Sequence, residues 1–393
     1  MTDPTLVQQL DFLDEIDKLK GVVRSSYIVD GSRFENSAEH SWHLALYALI
    51  LTPYAGRDVD IARAIQMLLL HDIVEIDVGD HPIDLPTDWR EVARQEKQAA
   101  KRIFGLLPEA QQVSLASIWQ EFERSETATA QFAKALDYCQ PIIQTLHNAR
   151  DIPDHVEIVK ENLTKGRAAC LPARLPEAYH FAASKLGWEH EVIDADFLER
   201  LAFLVEVDKL KTVTRATKLC DGSRRETSGE HSWHIALYAW LLAEHAHRPV
   251  DVFRVLQMLL IHDLVEIDVG DTPIHGSFDA EAIALKEARA ADRIFGLLPQ
   301  EQGETLRALW DEFEAAESDD AIYAKAVDRV QPLSSNLATG GFSWVEYKVT
   351  PEQLETRVGV KVAKGAPALW ALLRQRIDAW YDKNAALFAT DEA

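Results

Sequence analysis

Apolar residues recur at helical spacing along almost the whole chain. From Leu6 to Lys20 they fall three and four apart, which predicts an amphipathic helix. Ser37 is placed to cap a second helix running through His40 to about Thr52, with Leu44, Tyr47 and Ala48 on its apolar face. Ile61 to Ile76 is apolar at nearly every position, the pattern of a buried helix, and Asp58 or Asp60 is placed to start it. Gly79 and Pro82 mark the turn that follows. The spacing predicts further helices over Glu91–Phe104, Glu109–Glu123, Ala128–Thr145 and Pro176–Leu186, the last with proline in its first turn. Strand-like alternation is scarce, so the reading is all-α.

The pattern then repeats. AEHSWHLALYALIL from Ala38 returns as GEHSWHIALYAWLL from Gly229, and QMLLLHDIVEIDVGD from Gln66 returns as QMLLIHDLVEIDVGD from Gln257. His40 and His231, His71 and His262, Arg102 and Arg293, and Asp137 and Asp328 are all 191 positions apart. A constant offset of this size indicates a duplicated domain rather than a short-period solenoid. The expected division is 1–190 and 191–393, with the boundary near Trp188 to Asp194. At 393 residues the chain is long enough for two such domains.

Composition narrows the function. Hydrophobic residues make up 47% and charged residues 27%, a soluble globular profile. The first twenty residues are acidic and amphipathic, unlike a signal peptide, and no apolar run is long enough to cross a bilayer, so a cytoplasmic protein without membrane contact is expected. A formal net charge of −23 opposes nucleic-acid binding, which depends on cationic side chains neutralising phosphates. A small phosphorylated substrate is still compatible, because a bound metal ion inverts the local field. Cys139, Cys170 and Cys220 form no CxxC pair, which argues against disulfides and a thiolate metal site.

Polar residues that interrupt the apolar pattern carry the chemistry. In the first half these are Arg24, His40, His71, Asp72, Glu75, Asp80 and Asp137; in the second, Arg215, His231, His262, Asp263, Glu266, Asp271 and Asp328. The adjacent His71 and Asp72 end an otherwise apolar helix, where an imidazole beside a carboxylate is costly unless paired or metal-bound. Two His and two Asp completed by water suit one divalent transition metal per domain, of the Mn, Co, Fe, Ni or Zn type.

The order His40, His71-Asp72, Asp137 resembles the H…HD…D signature of the HD superfamily of metal-dependent phosphohydrolases. More narrowly, both halves resemble the bacterial 5′-deoxynucleotidase and HD-domain-containing protein 2 group. The residues that carry the likeness are Arg24, Glu39-His40-Ser41, His71-Asp72 with Glu75, and Gly79-Asp80 with Pro82, together with Arg215, Glu230-His231-Ser232, His262-Asp263 with Glu266, and Gly270-Asp271 with Pro273. The resemblance implies two tandem HD-domain helical bundles. It implies metal binding by His40, His71, Asp72 and Asp137, and by His231, His262, Asp263 and Asp328. It further implies that Glu75 and Glu266 orient or deprotonate the attacking water and that Arg24 and Arg215 hold the phosphate. Asp80 and Asp271 would contact the sugar or steer the leaving group. The reaction implied is hydrolysis of a (deoxy)nucleoside 5′-monophosphate by metal-bound water. Single-domain members of the group tend to form homodimers, so the halves are expected to pack as an intramolecular pseudo-dimer, with further homo-oligomer formation open.

The halves also differ. Asn336 and the turn Gly340-Gly341-Phe342-Ser343-Trp344 follow the group's pattern, whereas the first half has Thr145 and Arg150-Asp151-Ile152-Pro153 there, and His81 where the second has Thr272. His43 and His234 are expected to support or pack rather than ligate, and Trp42 and Trp233 to fill the core. Glu39 and Glu230 read as capping or supporting residues. Asp77, Asp268, His147, His245, His247 and His275 read as surface residues. The alternatives are a nucleotide-binding sensor with little turnover, an HD hydrolase of another phosphoester, and, ranked lower, a diiron oxygenase.

Overall fold

The computed structural model describes residues 3–82, 85–150, 152–188, 192–276 and 279–388. Asp151 and part of the expected boundary, residues 189–191, lie outside them. The architecture is helical with two small hairpins, and among the described residues no helix is long and apolar enough to cross a membrane.

Each half follows the same course. Pro4–Ile16 is a helix capped by Asp3, continued by a 3-10 turn over Asp17–Gly21. Val23–Tyr27 then pairs antiparallel with Phe34–Asn36. The sequence reading missed this hairpin because its strands are too short to show alternation. Its turn was nonetheless signalled: Asp30-Gly31 returns as Asp221-Gly222, and both glycines hold the positive φ that such a turn needs (70° and 73°).

The helix Ser37–Ile50 is buried along its whole length. Its cap is Asn36, not Ser37: the Asn36 side chain accepts from the backbone of Ala38 and Glu39, and Glu39 reaches back to close a capping box. Ser37 is thereby free to donate to Glu75. In the second half Thr227 caps Ser228–Leu241 in the same way. The helix expected over Ile61–Ile76 is instead Ile61–Leu70, capped by Asp60, followed by a turn and a short helix Glu75–Val78. The chain turns at His71-Asp72, where polar groups must leave the apolar helix face. Trp89–Phe104, Glu109–Arg124 and Ala128–His147 complete the scaffold around this turn. Pro141 lies inside the last of these and has no N–H to offer the carbonyl of Asp137, which opens the helix at the residue that matters.

Packing does not follow the repeat boundary. One compact unit comprises Leu19–Lys211 with Arg293–Glu304; the other comprises Met1–Lys18, Thr212–Asp292 and Thr305–Ala393. The helix Ala195–Val207, which opens the second repeat, is therefore part of the unit built on the first. There the His43 imidazole N–H donates to the Leu204 carbonyl at 2.9 Å. In the other unit the His234 imidazole donates to the Leu13 carbonyl at 2.8 Å. The sequence repeat and the packed unit are different segments of chain.

Candidate metal centres

His40 lies in the first turn of Ser37–Ile50 and is fully buried. His71 follows the last turn of Ile61–Leu70, and Asp137 is presented by Ala128–His147. The two imidazole centroids are 5.6 Å apart. His40 Nε2 is 3.2 Å from Asp137 Oδ1, and His71 Nε2 is 3.0 Å from Asp72 Oδ1 and 3.9 Å from Asp137 Oδ1. The Trp119 indole N–H donates to the His71 carbonyl at 3.3 Å and fixes the turn.

The second half repeats this closely. His231 Nε2 is 3.1 Å from Asp328 Oδ1; His262 Nε2 is 2.9 Å from Asp263 Oδ1 and 3.9 Å from Asp328 Oδ1. Trp310 donates to the His262 carbonyl at 3.0 Å.

The hydrogen-bond roles test whether a cation suits these sites. His71 Nδ1 is 2.8 Å from the Leu68 carbonyl, so it carries a proton and leaves Nε2 as the nitrogen that faces the site. That Nε2 is buried, has no hydrogen-bond partner and faces carboxylate oxygens. His262 is held the same way by the Leu259 carbonyl, and its Nε2 is likewise buried without a partner. A buried ring nitrogen this close to carboxylates calls for positive charge between them, supplied by a second ring proton or by a bound cation; burial opposes that proton on His262, yet Asp263 favours it. One donor atom each from His40, His71 and Asp72, and from His231, His262 and Asp328, lies within 4.8 Å of the others in its group. The donors are nitrogen and oxygen, which fits a divalent transition metal. Sulfur plays no part: burial pushes the Cys139 thiol well up.

The electrostatics are sharply divided. Burial alone would raise Asp137, but the hydrogen bond with His40 and the nearby His71 hold its carboxyl below the usual range. Burial likewise opposes ionisation of Asp263 and Asp328, yet His262 and Arg215 hold Asp263 low, and Arg329 and His231 hold Asp328 well down. Glu75 goes the other way. Burial first, then the negative charge of Asp72, push it well above the ordinary carboxyl range, although Ser37 donates to it at 2.6 Å. Burial and Asp263 do the same to Glu266, with Ser228 donating at 2.5 Å.

A guanidinium flanks each cluster. Arg24 donates to Asp72 Oδ2 at 2.7 Å and lies 3.9 Å from Asp80; Arg215 donates to Asp263 Oδ2 at 2.6 Å and lies 3.6 Å from Glu266 and 4.0 Å from Asp271. Each half thus brings together the residues singled out from its sequence.

The open space differs between halves. In the first, a cavity of about 360 Å³ opens over His71, Asp72, Glu75 and Asp137, and Trp89, Glu96, Lys134 and Arg167 also line it. Beside it, a cavity of about 180 Å³ is lined by Arg24, Asp80, His81, Thr145 and His155. The corresponding space in the second half is about 80 Å³, lined by Asn336, Trp344 and Tyr347 among others. Asn336 accepts from the backbone N–H and the hydroxyl of Ser343, at 2.9 and 2.8 Å, and so fixes the segment that carries Trp344.

Several residues around the sites were not found from sequence. Gln140 accepts from His40 Nδ1 at 3.1 Å and donates to Glu35 at 3.2 Å; Gln331 does the same for His231 and Glu226, both at 3.0 Å. The 191-residue offset relates Glu35 to Glu226 and Gln140 to Gln331, and was the available signal. His275, read as a surface residue, instead lines the second pocket with Arg329. His43 and His234 stand outside both ligand clusters, and Trp42 and Trp233 are fully buried.

Comparison with known proteins places these sites in context. The sequence model of the HD domain family matches residues 16–178 and again 207–370. The chain is similar to 5′-deoxynucleotidase HDDC2 of Bos taurus, 34% identical over 139 residues, covering 34% of this chain and 65% of that protein. The match thus spans less than two thirds of that relative's length. The Xenopus laevis protein of the same name is 28% identical over 200 residues, covering 50% of this chain and 90% of that one. A crystal structure described as a predicted metal-dependent phosphohydrolase from Magnetospirillum magnetotacticum MS-1 is 44% identical, with a TM-score of 0.46, covering 50% of this chain and 97% of the other.

Proposed function

Because this chain belongs to the HD domain family in two copies, we propose that it is a metal-dependent phosphomonoester hydrolase acting on nucleoside 5′-monophosphates. The observation that carries the reading is the pair of buried ring nitrogens, His71 Nε2 and His262 Nε2, each without a hydrogen-bond partner and facing carboxylates beside a guanidinium. The relatives named 5′-deoxynucleotidase support the nucleotide as substrate class.

His40, His71, Asp72 and Asp137 would hold the ion in the first half, and His231, His262, Asp263 and Asp328 in the second. A bound divalent ion supplies Lewis acidity, lowering the pKa of a coordinated water and offsetting charge on the phosphoryl group. Arg24 and Arg215 present planar donors to phosphate oxygens, the geometry that suits a bidentate anion contact. Glu75 and Glu266, held by serine hydroxyls, exchange the proton of the attacking water. Asp80 and Asp271, 3.9 and 4.0 Å from the arginines, contact the sugar or steer the leaving group. Water adds to phosphorus, the ester P–O bond breaks, and the leaving alkoxide receives a proton to give nucleoside and inorganic phosphate.

The test is phosphate release from a panel of ribo- and deoxyribonucleoside monophosphates with Mn, Co or Mg. Release that vanishes in the Asp72→Ala/Asp263→Ala double variant is the expected result. No release from any monophosphate by metal-loaded protein would overturn the reading.

A further inference from the structure

Below the first metal centre lies a second buried cluster that the hydrolytic reading does not use. Glu35, His43 and Asp208 converge there with donor atoms within 4.8 Å, in the manner of a metal site. The chain supplies the cation itself. The fully buried Lys211 places its ammonium 2.6 Å from Glu35 Oε1 and 2.9 Å from His43 Nδ1, and in contact with Asp208 Oδ1. An ammonium has three protons, and here three acceptors take them. The acceptors are themselves fixed. His43 donates its other ring N–H to Leu204, so its Nδ1 is an acceptor, and Asp208 Oδ2 accepts from the Val29 N–H at 2.7 Å.

The cluster continues into the metal centre. Glu35 Oε1 also accepts from Gln140, whose carbonyl oxygen accepts from His40 Nδ1. Glu35 Oε2 lies 3.5 Å from the same nitrogen and 3.9 Å from Arg24 Nε. Donation in this direction puts a proton on His40 Nδ1 and orients the ring so that Nε2 lies 3.2 Å from Asp137 Oδ1. A second tie runs along the backbone: Arg33 donates to the Lys211 carbonyl at 2.6 Å and to Glu39, the capping residue one position before His40, also at 2.6 Å.

We propose that Lys211 is a positioning residue for the first metal centre: it anchors Glu35, which through Gln140 sets the orientation and tautomer of His40. The centre formed by first-repeat ligands therefore depends on a side chain from the segment that opens the second repeat. In the other unit Asp17, Glu226 and His234 converge in the same fashion. The inference rests on the reading of His40 as a metal ligand.

Co²⁺ affinity and the Co²⁺ absorption spectrum, measured on the full chain in an Asp263→Ala background, test it. Lys211→Met is expected to weaken Co²⁺ binding roughly 10- to 100-fold and to alter the spectrum, as loss of a group that orients a ligand does. Lys209→Met, at a half-exposed lysine paired with Glu206, is expected to change neither. Should Lys211→Met not fold, Lys211→Met/Asp208→Asn removes one buried anion with the cation and keeps Glu35, and the same weakening is expected. Wild-type affinity and spectrum in either folded Lys211 variant would overturn the proposal while leaving the metal reading intact. No Co²⁺ binding by the Asp263→Ala parent would overturn both.

Discussion

The two candidate metal centres agree in their His and Asp clusters and part company in the space beside them. The His–Asp distances match within 0.1 Å between halves: 3.2 and 3.1 Å, 3.0 and 2.9 Å, and 3.9 Å in both. The flanking cavity shrinks from about 180 to about 80 Å³, as Thr145 gives way to Asn336 and the His155 segment to Trp344 and Tyr347. Tyr138 also gives way to Arg329. Coordination tolerates little displacement of its donors, whereas a pocket wall can be rebuilt without disturbing them. On the proposed function, the difference would bear on what each half accepts rather than on the chemistry it performs.

The sharpest way to break this comparison is to disable one half at a time. Asp72→Ala and Asp263→Ala are each expected to abolish turnover in their own half. The double variant should lose about a thousandfold or more in phosphate release, the scale of several kcal/mol of metal-supplied stabilisation. If one single variant already loses everything, the halves are not chemical equals. Next in size are the guanidinium contacts. With the other half disabled, Arg24→Ala and Arg215→Ala should each lower kcat/KM roughly 10- to 100-fold, the range for a hydrogen bond to a charged group. Equal losses would sharpen the claim of common chemistry.

Smaller effects are expected at the walls. Thr145→Asn and Asn336→Thr should shift the ratio of kcat/KM between large and small nucleobases by up to about tenfold, each only in its own half. An unchanged ratio would separate cavity shape from specificity. Smallest, Asn36→Ala and Thr227→Ala remove helix caps and should each cost about 1 kcal/mol of stability in urea unfolding. The effect should be similar in both units, since both caps sit in the same box with a glutamate.

Much of this was legible in the sequence because it is local or repeated. Helical spacing gave most main helices of the first half to within a few residues, though not Pro153–Thr164, and the 191-residue offset marked the same polar interruptions in both halves. Where the reading erred, a competing contact decided. Ser37 looked like a cap, but Asn36 caps and Ser37 serves Glu75. The apolar run to Ile76 looked like one helix, but it turns after Leu70 to release His71 and Asp72 from the core face. His275 looked like a surface residue, but it lines a pocket.

By itself, then, the sequence determined the duplication, the helical class and the ordered set of polar residues, since periodicity and spacing are properties of neighbours along the chain. Only the tertiary structure decided that Glu35 and Gln140 brace His40, and that Lys211 reaches Glu35 across 176 residues. It also decided that the segment opening the second repeat joins the unit built on the first. A buried charge must find its counter-ion wherever packing places one, and no local pattern records that distance.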